Sequence, residues 1–353
     1  MSEPTPVHKR RIRYKGKNPR RFEDRYKELN PDKYAAQLEH VTAKGITPAG
    51  THRPICVEEI LQLLNPRPGE ICLDATLGYG GHAKEMLGRI LPGGRLFAVD
   101  VDPLELPKTE ARLRGLGFDD EVFTARQMSF AGVRSLLHEA GGGFDCVLAD
   151  LGVSSMQIDN PARGFTFKVD GPLDLRLNPK RGKSAAEMLA KMPMEKLEEI
   201  LFEYSDEPHA RVIANAVKAS RAPLASTAGL AAVVKESLEK LRPKPNDSAV
   251  KKSLQRTFMA LRIAVNEELT VLDRFLQVLP CCLKPGGRVA ILSFHSGEDR
   301  RVKKAFALGL QSGAYRAVAP TPIVPSAEEC RANPRASCAK LRWAVRSDLA
   351  LME

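Results

Sequence analysis

Three aspartates close short apolar runs. Asp74 follows Ile71-Cys-Leu, Asp100 follows Arg95-Leu-Phe-Ala-Val, and Asp150 follows Phe144-Asp-Cys-Val-Leu-Ala. Directly after the first comes Asp74-Ala-Thr-Leu-Gly78-Tyr-Gly80-Gly81-His82. Glycines at a strand-to-helix turn let backbone N–H groups approach a ligand closely, and an acid at the tip of the next strand can accept both hydroxyls of a ribose. Gly78-x-Gly80-x-x-Ala83 with its later acid also fits a nicotinamide-dinucleotide fingerprint. Asp74 discriminates between the two. An acid that ends the first strand just before the glycine loop suits the positively charged amino-acid end of S-adenosylmethionine, and a third strand-end acid, Asp150, points the same way. The residues favour a methyl donor; a dinucleotide and a tight turn without ligand are the alternatives. Asp74, Gly78, Gly80, Gly81, Asp100 and Asp150 are the candidate contacts.

These tips need a sheet to hold them. Strands over Ile71–Leu73, Arg95–Asp100, Glu121–Thr124 and Phe144–Asp150 alternate with helices over Gly80–Ile90, Leu104–Leu116 and Phe130–Ala140. Alternation of this kind predicts an α/β fold, an open and mostly parallel sheet with helices on both faces. It stops after Asp150. Residues 151–183 are rich in Gly, Pro and Asp and show little periodicity. Helices follow. Ser184-Ala-Ala-Glu187 is a capping-box pattern, Leu197, Ile200, Leu201 and Tyr204 share a face, and further helices fit 207–221 and 226–242. One long amphipathic helix is predicted over 254–279, with Leu261, Val265, Leu269, Leu272, Leu276 and Leu279 as its stripe. Lys284-Pro-Gly-Gly287 then turns into a strand over Arg288–Ser293, and Arg342–Val345 reads as a last strand at an edge. The organisation expected is an extension over 1–50, a sheet core over 51–159, a helical insertion over 160–265 as candidate substrate-recognition domain, and the rest of the core over 266–353.

Composition excludes several classes. The 353 residues are 43% hydrophobic and 27% charged, the balance of a folded globular chain rather than a disordered one. No apolar run is long enough for a membrane span, and the basic N-terminus lacks the apolar stretch of a signal peptide, so a cytoplasmic location is expected. The seven cysteines are scattered without a Cys-x-x-Cys pair, which argues against a disulfide framework and structural zinc and for small apolar core residues. The net charge of +11 is uneven: residues 1–27 hold ten Lys/Arg against three acids, a surplus of seven. With Tyr14, Phe22 and Tyr26 interleaved, this arm suits a phosphate-rich partner; a solvated tail is the bland alternative.

Longer motifs narrow the reading. Asp150-Leu-Gly-Val-Ser-Ser155 continues through Gln157-Ile-Asp159 and Arg163-Gly-Phe165 to Asp170-Gly-Pro-Leu-Asp174-Leu-Arg176. Later come Arg256-Thr-Phe258-x-Ala-Leu-Arg262-x-x-Val-Asn266-x-Glu-Leu269, then Ser293-Phe-His295-Ser296-x-Glu298-Asp299-Arg300, and Asn-Pro-Arg-x-x-x-x-Lys-Leu-Arg342. Over about residues 51–345 the chain resembles the bacterial small-subunit ribosomal RNA methyltransferase H family, the cytosine-N(4) methyltransferases also called MraW. The resemblance implies a Rossmann-like class I methyltransferase core with an inserted helical domain, S-adenosylmethionine as cofactor, and 16S rRNA or the small ribosomal subunit as partner. It implies methylation of the exocyclic amine of a cytidine. Carried over by position, it places cofactor contacts at Gly80, Gly81, His82, Asp100, Phe130, Asp150 and Gln157.

The chain departs from the family pattern at four places. Fifty-one residues precede His52-Arg-Pro54, where family members usually have only a few. The usual Phe-Gln-Ala-Leu-Arg is Phe258-Met259-Ala-Leu-Arg262, a Leu is replaced by Gly297, and the usual Gly-Glu-Glu is Ser205-Asp206-Glu207. With its basic arm, the pattern resembles a divergent second branch of the family.

A cytosine amine is a poor nucleophile because its lone pair is delocalised into the ring. An acceptor for its hydrogens restores electron density and can later take the proton. Asp150 is the first candidate. Many amino-methyltransferases carry Asp/Asn-Pro-Pro-Tyr/Phe here, whereas this chain has Asp150-Leu-Gly-Val153, so a stacking ring must come from elsewhere. His295 is a second candidate base with Ser293 as its orienting group, or else a structural histidine at a strand end. No metal is expected. The charged loop 159–176, with Arg163, Phe165, Asp174 and Arg176, either closes over substrate or contacts RNA, or else ties the insertion to the core by ion pairs. Other RNA or DNA bases as target, a non-catalytic ribosome-binding factor and a dinucleotide oxidoreductase are the competing functions.

Overall fold

The elements were located in a computed structural model, which describes residues 54–220 and 222–348; the basic extension lies outside the described residues. The chain enters through α1 (Val57–Leu64), then runs β1 (Ile71–Asp74), α2 (Gly81–Ile90), β2 (Arg95–Asp100), α3 (Leu106–Gly115), β3 (Phe123–Gln127), a 3-10 helix (Phe130–Leu136) and β4 (Phe144–Asp150). A short α4 (Ser155–Asp159) leads to five helices, α5 (Ala185–Lys191), α6 (Met194–Ser205), α7 (Ala210–Ala219), α8 (Thr227–Glu239) and α9 (Asp247–Asn266). The chain returns through α10 (Glu268–Cys282), β5 (Leu283–Ser293), α11 (Ser296–Gln311), β6 (Tyr315–Val318), α12 (Ala327–Ala332) and β7 (Lys340–Arg346).

The seven strands form one sheet in the order β3-β2-β1-β4-β5-β7-β6. The first five are parallel, and β7 lies antiparallel between β5 and β6. The order reverses between β1 and β4, so a crevice opens there at the carboxyl ends of the strands, the usual ligand position in open α/β sheets. Asp74, Asp100 and Asp150 are the last residues of β1, β2 and β4. The sheet thus delivers all three acids to the rim of one crevice.

Alternation along the strands divides the core. Cys72, Leu96 and Cys146 face Leu64, Met86 and Ile90 on one side, and Leu73, Phe97 and Val147 face Phe275, Leu279 and Val302 on the other. A third cluster belongs to the helices after Asp150: Leu197, Leu201, Ile213, Leu230, Val234 and Leu261 pack with the loop residues Leu173 and Leu175. Of the cysteines, Cys56, Cys72, Cys146 and Cys282 are buried and Cys281 and Cys338 exposed, all free.

Several expectations need correction. The helix expected over 254–279 is two, α9 and α10. Glu267 between them takes a left-handed conformation at φ 51°, which ends one helix and starts the next while the leucine stripe carries across the break. The strand expected at an edge is instead interior: β7 pairs on both sides, and β6 is the outer strand. The segment after Phe130 winds as a 3-10 helix ending at Leu136 rather than a longer α-helix. Within the stretch read as aperiodic, Ser154 and Gln157 form a reciprocal capping box that starts α4. The box expected at Ser184 and Glu187 is present at the start of α5. Among the described residues no helix is long and apolar enough to cross a membrane.

Candidate active site

The loop after β1 is threaded between its neighbours. Ala75 N–H donates to the Leu148 carbonyl at 2.8 Å and Leu77 N–H to that of Val99 at 2.9 Å. Asp74 is 1% exposed, and its Oδ1 accepts from Thr76 N–H at 3.0 Å. Burial pushes its carboxyl up to about 6, with the Thr76 N–H and nearby His82 opposing the rise. The Thr76 hydroxyl accepts from Asp150 N–H at 2.6 Å and so ties the tips of β1 and β4 together. Thr76 carried no recognisable signal in the sequence.

Asp100 organises the glycine loop. Its Oδ2 accepts from Gly78 N–H at 2.8 Å and its Oδ1 from Asp102 N–H at 2.9 Å. Burial raises this carboxyl too, against those backbone N–H groups. Two of the carboxylate's roughly four acceptor positions are thereby used, leaving two for hydroxyls. Gly78 has φ +48°, and a Cβ there would face open space, with only Thr76 O at 3.7 Å. A Cβ on Gly81 would lie 2.3 Å from Pro54 Cγ, so glycine lets the start of α2 pack under the entering chain.

His82 lies in the first turn of α2, 7% exposed, with Nε2 3.6 Å from Asp150 Oδ2. His82 Nε2 and Asp150 Oδ1 are both shielded from solvent without a hydrogen-bond partner. Buried polar atoms normally have partners, so this pair marks a place completed by something else. A polar cofactor with a cationic end and a ribose fits this donor and acceptor set: buried Asp74, the free acceptor positions of Asp100, the open side of Gly78, and the unpartnered atoms of Asp150 and His82.

Other expected contacts are placed differently. Phe130, half-buried, meets Phe275 edge-on at 5.2 Å. Gln157 is largely engaged within the protein: its Oε1 accepts from Ser154 N–H at 2.9 Å and its Nε2 donates to Asp102 Oδ2 at 2.7 Å. Asp102, fully buried, also receives Arg163 at 2.8 Å. This hub was missed in the sequence, although a second acid two residues beyond Asp100 was its available signal. The charged loop is ion-paired to the core at two points, Arg163 with Asp102 at 2.8 Å and Asp159 with Arg335 at 2.7 Å, and within itself between Asp174 and Arg176 at 2.7 Å.

At the end of β5 the Ser293 hydroxyl donates to the Lys340 carbonyl at 3.2 Å, on the β7 side. The expected orienting bond from Ser293 to His295 is therefore absent in this arrangement. His295 has Glu298 beside it instead, with Nε2 3.3 Å from Oε1. Glu298 Oε2 accepts from Phe294 N–H at 2.8 Å. Burial works to raise the Glu298 carboxyl, but His295, the Phe294 N–H and Arg262 hold it below the ordinary range. Glu268 approaches the same group and is itself held by Arg262 in a two-point contact at 2.8 Å. The motifs around Arg262 and His295, far apart in sequence, thus meet at one joint between α9, α10 and α11. Sequence showed no ligand cluster, whereas folding gathers Glu268, His295 and Glu298 here, and Glu70, Cys72 and Cys146 under the sheet. Each cluster already carries a guanidinium on a carboxylate, Arg262 in the first and Arg288 in the second.

A protein of Alkaliphilus metalliredigens named Ribosomal RNA small subunit methyltransferase H 2 is 51% identical over 341 residues, covering 96% of this chain and 97% of that one. One of Agathobacter rectalis named Ribosomal RNA small subunit methyltransferase H 1 is 51% identical over 346 residues, covering 97% and 98%. A relative of Leptothrix cholodnii named Ribosomal RNA small subunit methyltransferase H, 42% identical, covers 85% of this chain. The two numbered relatives therefore align with most of the N-terminal extension as well. Among solved structures, a SAM-dependent O-methyltransferase from Thermotoga maritima aligns with 86% of this chain and 68% of its own at 11% identity and a TM-score of 0.39. The sequence profile of the MraW methylase family matches residues 49–347, and the chain is a member of that family of S-adenosylmethionine-dependent methyltransferases.

Proposed function

We propose that this protein methylates the exocyclic N(4) amine of a cytidine in the 16S rRNA of the small ribosomal subunit. The observation that carries the chemistry is Asp150: an acid at the topological switch point with a carboxylate oxygen, shielded from solvent, that has no partner. The rRNA substrate is supported by what the relatives of similar length are named. The reading places the protein in the cytoplasm, with no membrane and no metal required.

S-adenosylmethionine, when bound, supplies an electrophilic methyl group on a sulfonium. Asp74 would meet its cationic amino-acid end, Asp100 would accept from ribose hydroxyls, and the open side of Gly78 would allow close approach, while Gly80 and Gly81 let the turn pack against Thr109 and Pro54. His82 would contact the cofactor from the start of α2. Phe130, packed on Phe275, would lie near the adenine, and Gln157 would support the site through Asp102. Asp150 accepts a hydrogen of the cytosine amine, which keeps electron density on nitrogen and holds it in line for transfer; alignment of this kind contributes about 7–11 kcal/mol. His295, whose Nε2 lies 3.3 Å from Glu298 Oε1 and whose ring nitrogens make no hydrogen bond, is the second group able to take the proton. Ser293 anchors the end of β5. The helices over 160–265 serve as the substrate-recognition domain between the two parts of the core, 51–159 and 266–353.

Transfer of labelled methyl groups to small subunits tests the assignment. Asp150→Ala is expected to lower turnover about 10²–10⁴-fold at saturating cofactor, the usual contribution of a positioned proton acceptor. Near-normal turnover in that variant would move the acceptor role to His295.

A further inference from the structure

The segment Asn178-Pro-Lys180-Arg181-Gly182-Lys183 has no place in the cofactor site, yet it is built with care. Lys180, Arg181 and Lys183 are exposed. Among the described residues none of the three is in an ion pair. Many other surface cations are paired, including Arg89 with Glu85, Lys108 with Glu105 and Lys196 with Glu199. The acids flanking the turn are already committed. Asp174 is held by Arg176 through contacts of 2.8 and 2.7 Å, and Glu187 accepts from the N–H and hydroxyl of Ser184 at 2.7 and 2.9 Å. Ser184 is neutral, so Glu187 keeps its charge, but none of the three cations is paired with it, and they outnumber it.

The turn is also fixed in place. Asn178 Oδ1 accepts from Lys180 N–H at 3.0 Å, the Asn178 carbonyl accepts from Arg181 N–H at 3.1 Å, and Arg176 donates to the Gly182 carbonyl at 3.2 Å. Its base is clamped by Asn266, whose Oδ1 accepts from Leu177 N–H at 2.7 Å, and by Arg163, which donates to the Leu177 carbonyl at 2.8 Å. Arg163 continues to Asp102, and Asp102 N–H to Asp100, so an unbroken chain of hydrogen bonds joins the cationic turn to the cofactor-side acid. A solvated loop needs neither the clamp nor three unpaired cations. A polyanion that must be held in fixed register with the methyl-transfer site needs both.

We propose that Lys180, Arg181 and Lys183 grip the phosphate backbone of the substrate RNA and fix its register on the active site. The inference rests on the reading of the substrate as RNA. It goes beyond that reading by assigning the contact to this turn. Phosphate contacts of this kind position a nucleic acid without reading its bases, and they show themselves through released counterions.

The test uses the full-length protein and in vitro transcribed 16S rRNA, with binding measured across a salt series. The triple variant Lys180→Ala, Arg181→Ala, Lys183→Ala is compared with wild type and with a charge-matched control, Arg67→Ala, Lys303→Ala, Lys304→Ala. The turn variant is expected to bind RNA on the order of tenfold more weakly near 0.1 M salt, with the slope of log affinity against log salt reduced by about two to three. Its affinity for S-adenosylmethionine and its melting temperature should match the control. A turn variant indistinguishable from the control, while wild type binds RNA, would overturn the inference and leave the RNA reading intact. Weakened binding to whole small subunits but not to rRNA would also overturn it, in favour of a ribosomal protein as the contact. Failure of the wild type to bind rRNA at all would overturn the RNA reading, and this inference with it.

Discussion

Asp74 shows how one residue's burial becomes a functional property. Its carboxyl, pushed up to about 6 by burial, is costly to ionise in the folded protein. The sign is that of a raised acid: below the ordinary value of 3.8 neither state is charged, and folding loses stability as pH rises through about 6. The shift corresponds to about 3 kcal/mol, an order-of-magnitude figure. A cationic ligand end beside Asp74 reverses the preference and needs the ionised form. Affinity for S-adenosylmethionine is therefore expected to be flat above about pH 6 and to fall up to tenfold per unit below it. Calorimetric titration across pH checks this, and Asp74→Asn should bind weakly with that pH dependence removed. The strand-end acids were legible in the sequence because each ends an apolar run. What was not legible is how they differ. Asp100 is engaged by two backbone N–H groups, whereas Asp150 keeps an unpartnered oxygen, a contrast set by loop geometry that no spacing encodes.

Elements were easiest to read where period and punctuation agreed. Strands β2 and β4 lie where the sequence predicted them, since an apolar run and a terminal acid bound each one. The α9–α10 break was hidden because the leucine stripe continues across it; the break comes from tertiary bonds. Asn266 Nδ2 donates to the carbonyls of Leu175 and Arg262, each at 2.8 Å, and Arg262 pairs with Glu268 across the bend. The loop 159–176 illustrates the opposite case, in which polarity that suggested a mobile cover is internal glue. Arg163 and Asp102 are 6% and 0% exposed, so removing the guanidinium strands a buried carboxylate. Arg163→Ala is expected to cost about 3–5 kcal/mol in denaturant unfolding and to weaken cofactor affinity through Asp100. An unfolding free energy within 1 kcal/mol of wild type, a difference ordinary for exposed pairs, would show that the contact carries no such load.

At the scale of the whole molecule, the alternation of strands and helices up to Asp150 was enough to anticipate a parallel sheet with its ligand crevice. The interior place of β7 was not accessible, because its outer neighbour β6 is only four residues long, Tyr315–Val318, and gave no strand signal in the sequence. Charge is the other global property. Seven of the eleven net positive charges fall within residues 1–27. Deleting those residues is expected to weaken rRNA binding and flatten its salt dependence while leaving cofactor affinity unchanged, which filter binding over a salt series would reveal. The central claim is the identity of the methylated atom. Its most direct measurement is incubation of the protein with S-adenosylmethionine and small subunits that lack the family's modification, followed by mass spectrometry of the digested 16S rRNA. We expect N(4)-methylated cytidine to appear with wild-type protein and to be lost with Asp150→Ala. A methyl group on another base, or none in rRNA while the protein binds the cofactor, would contradict the account.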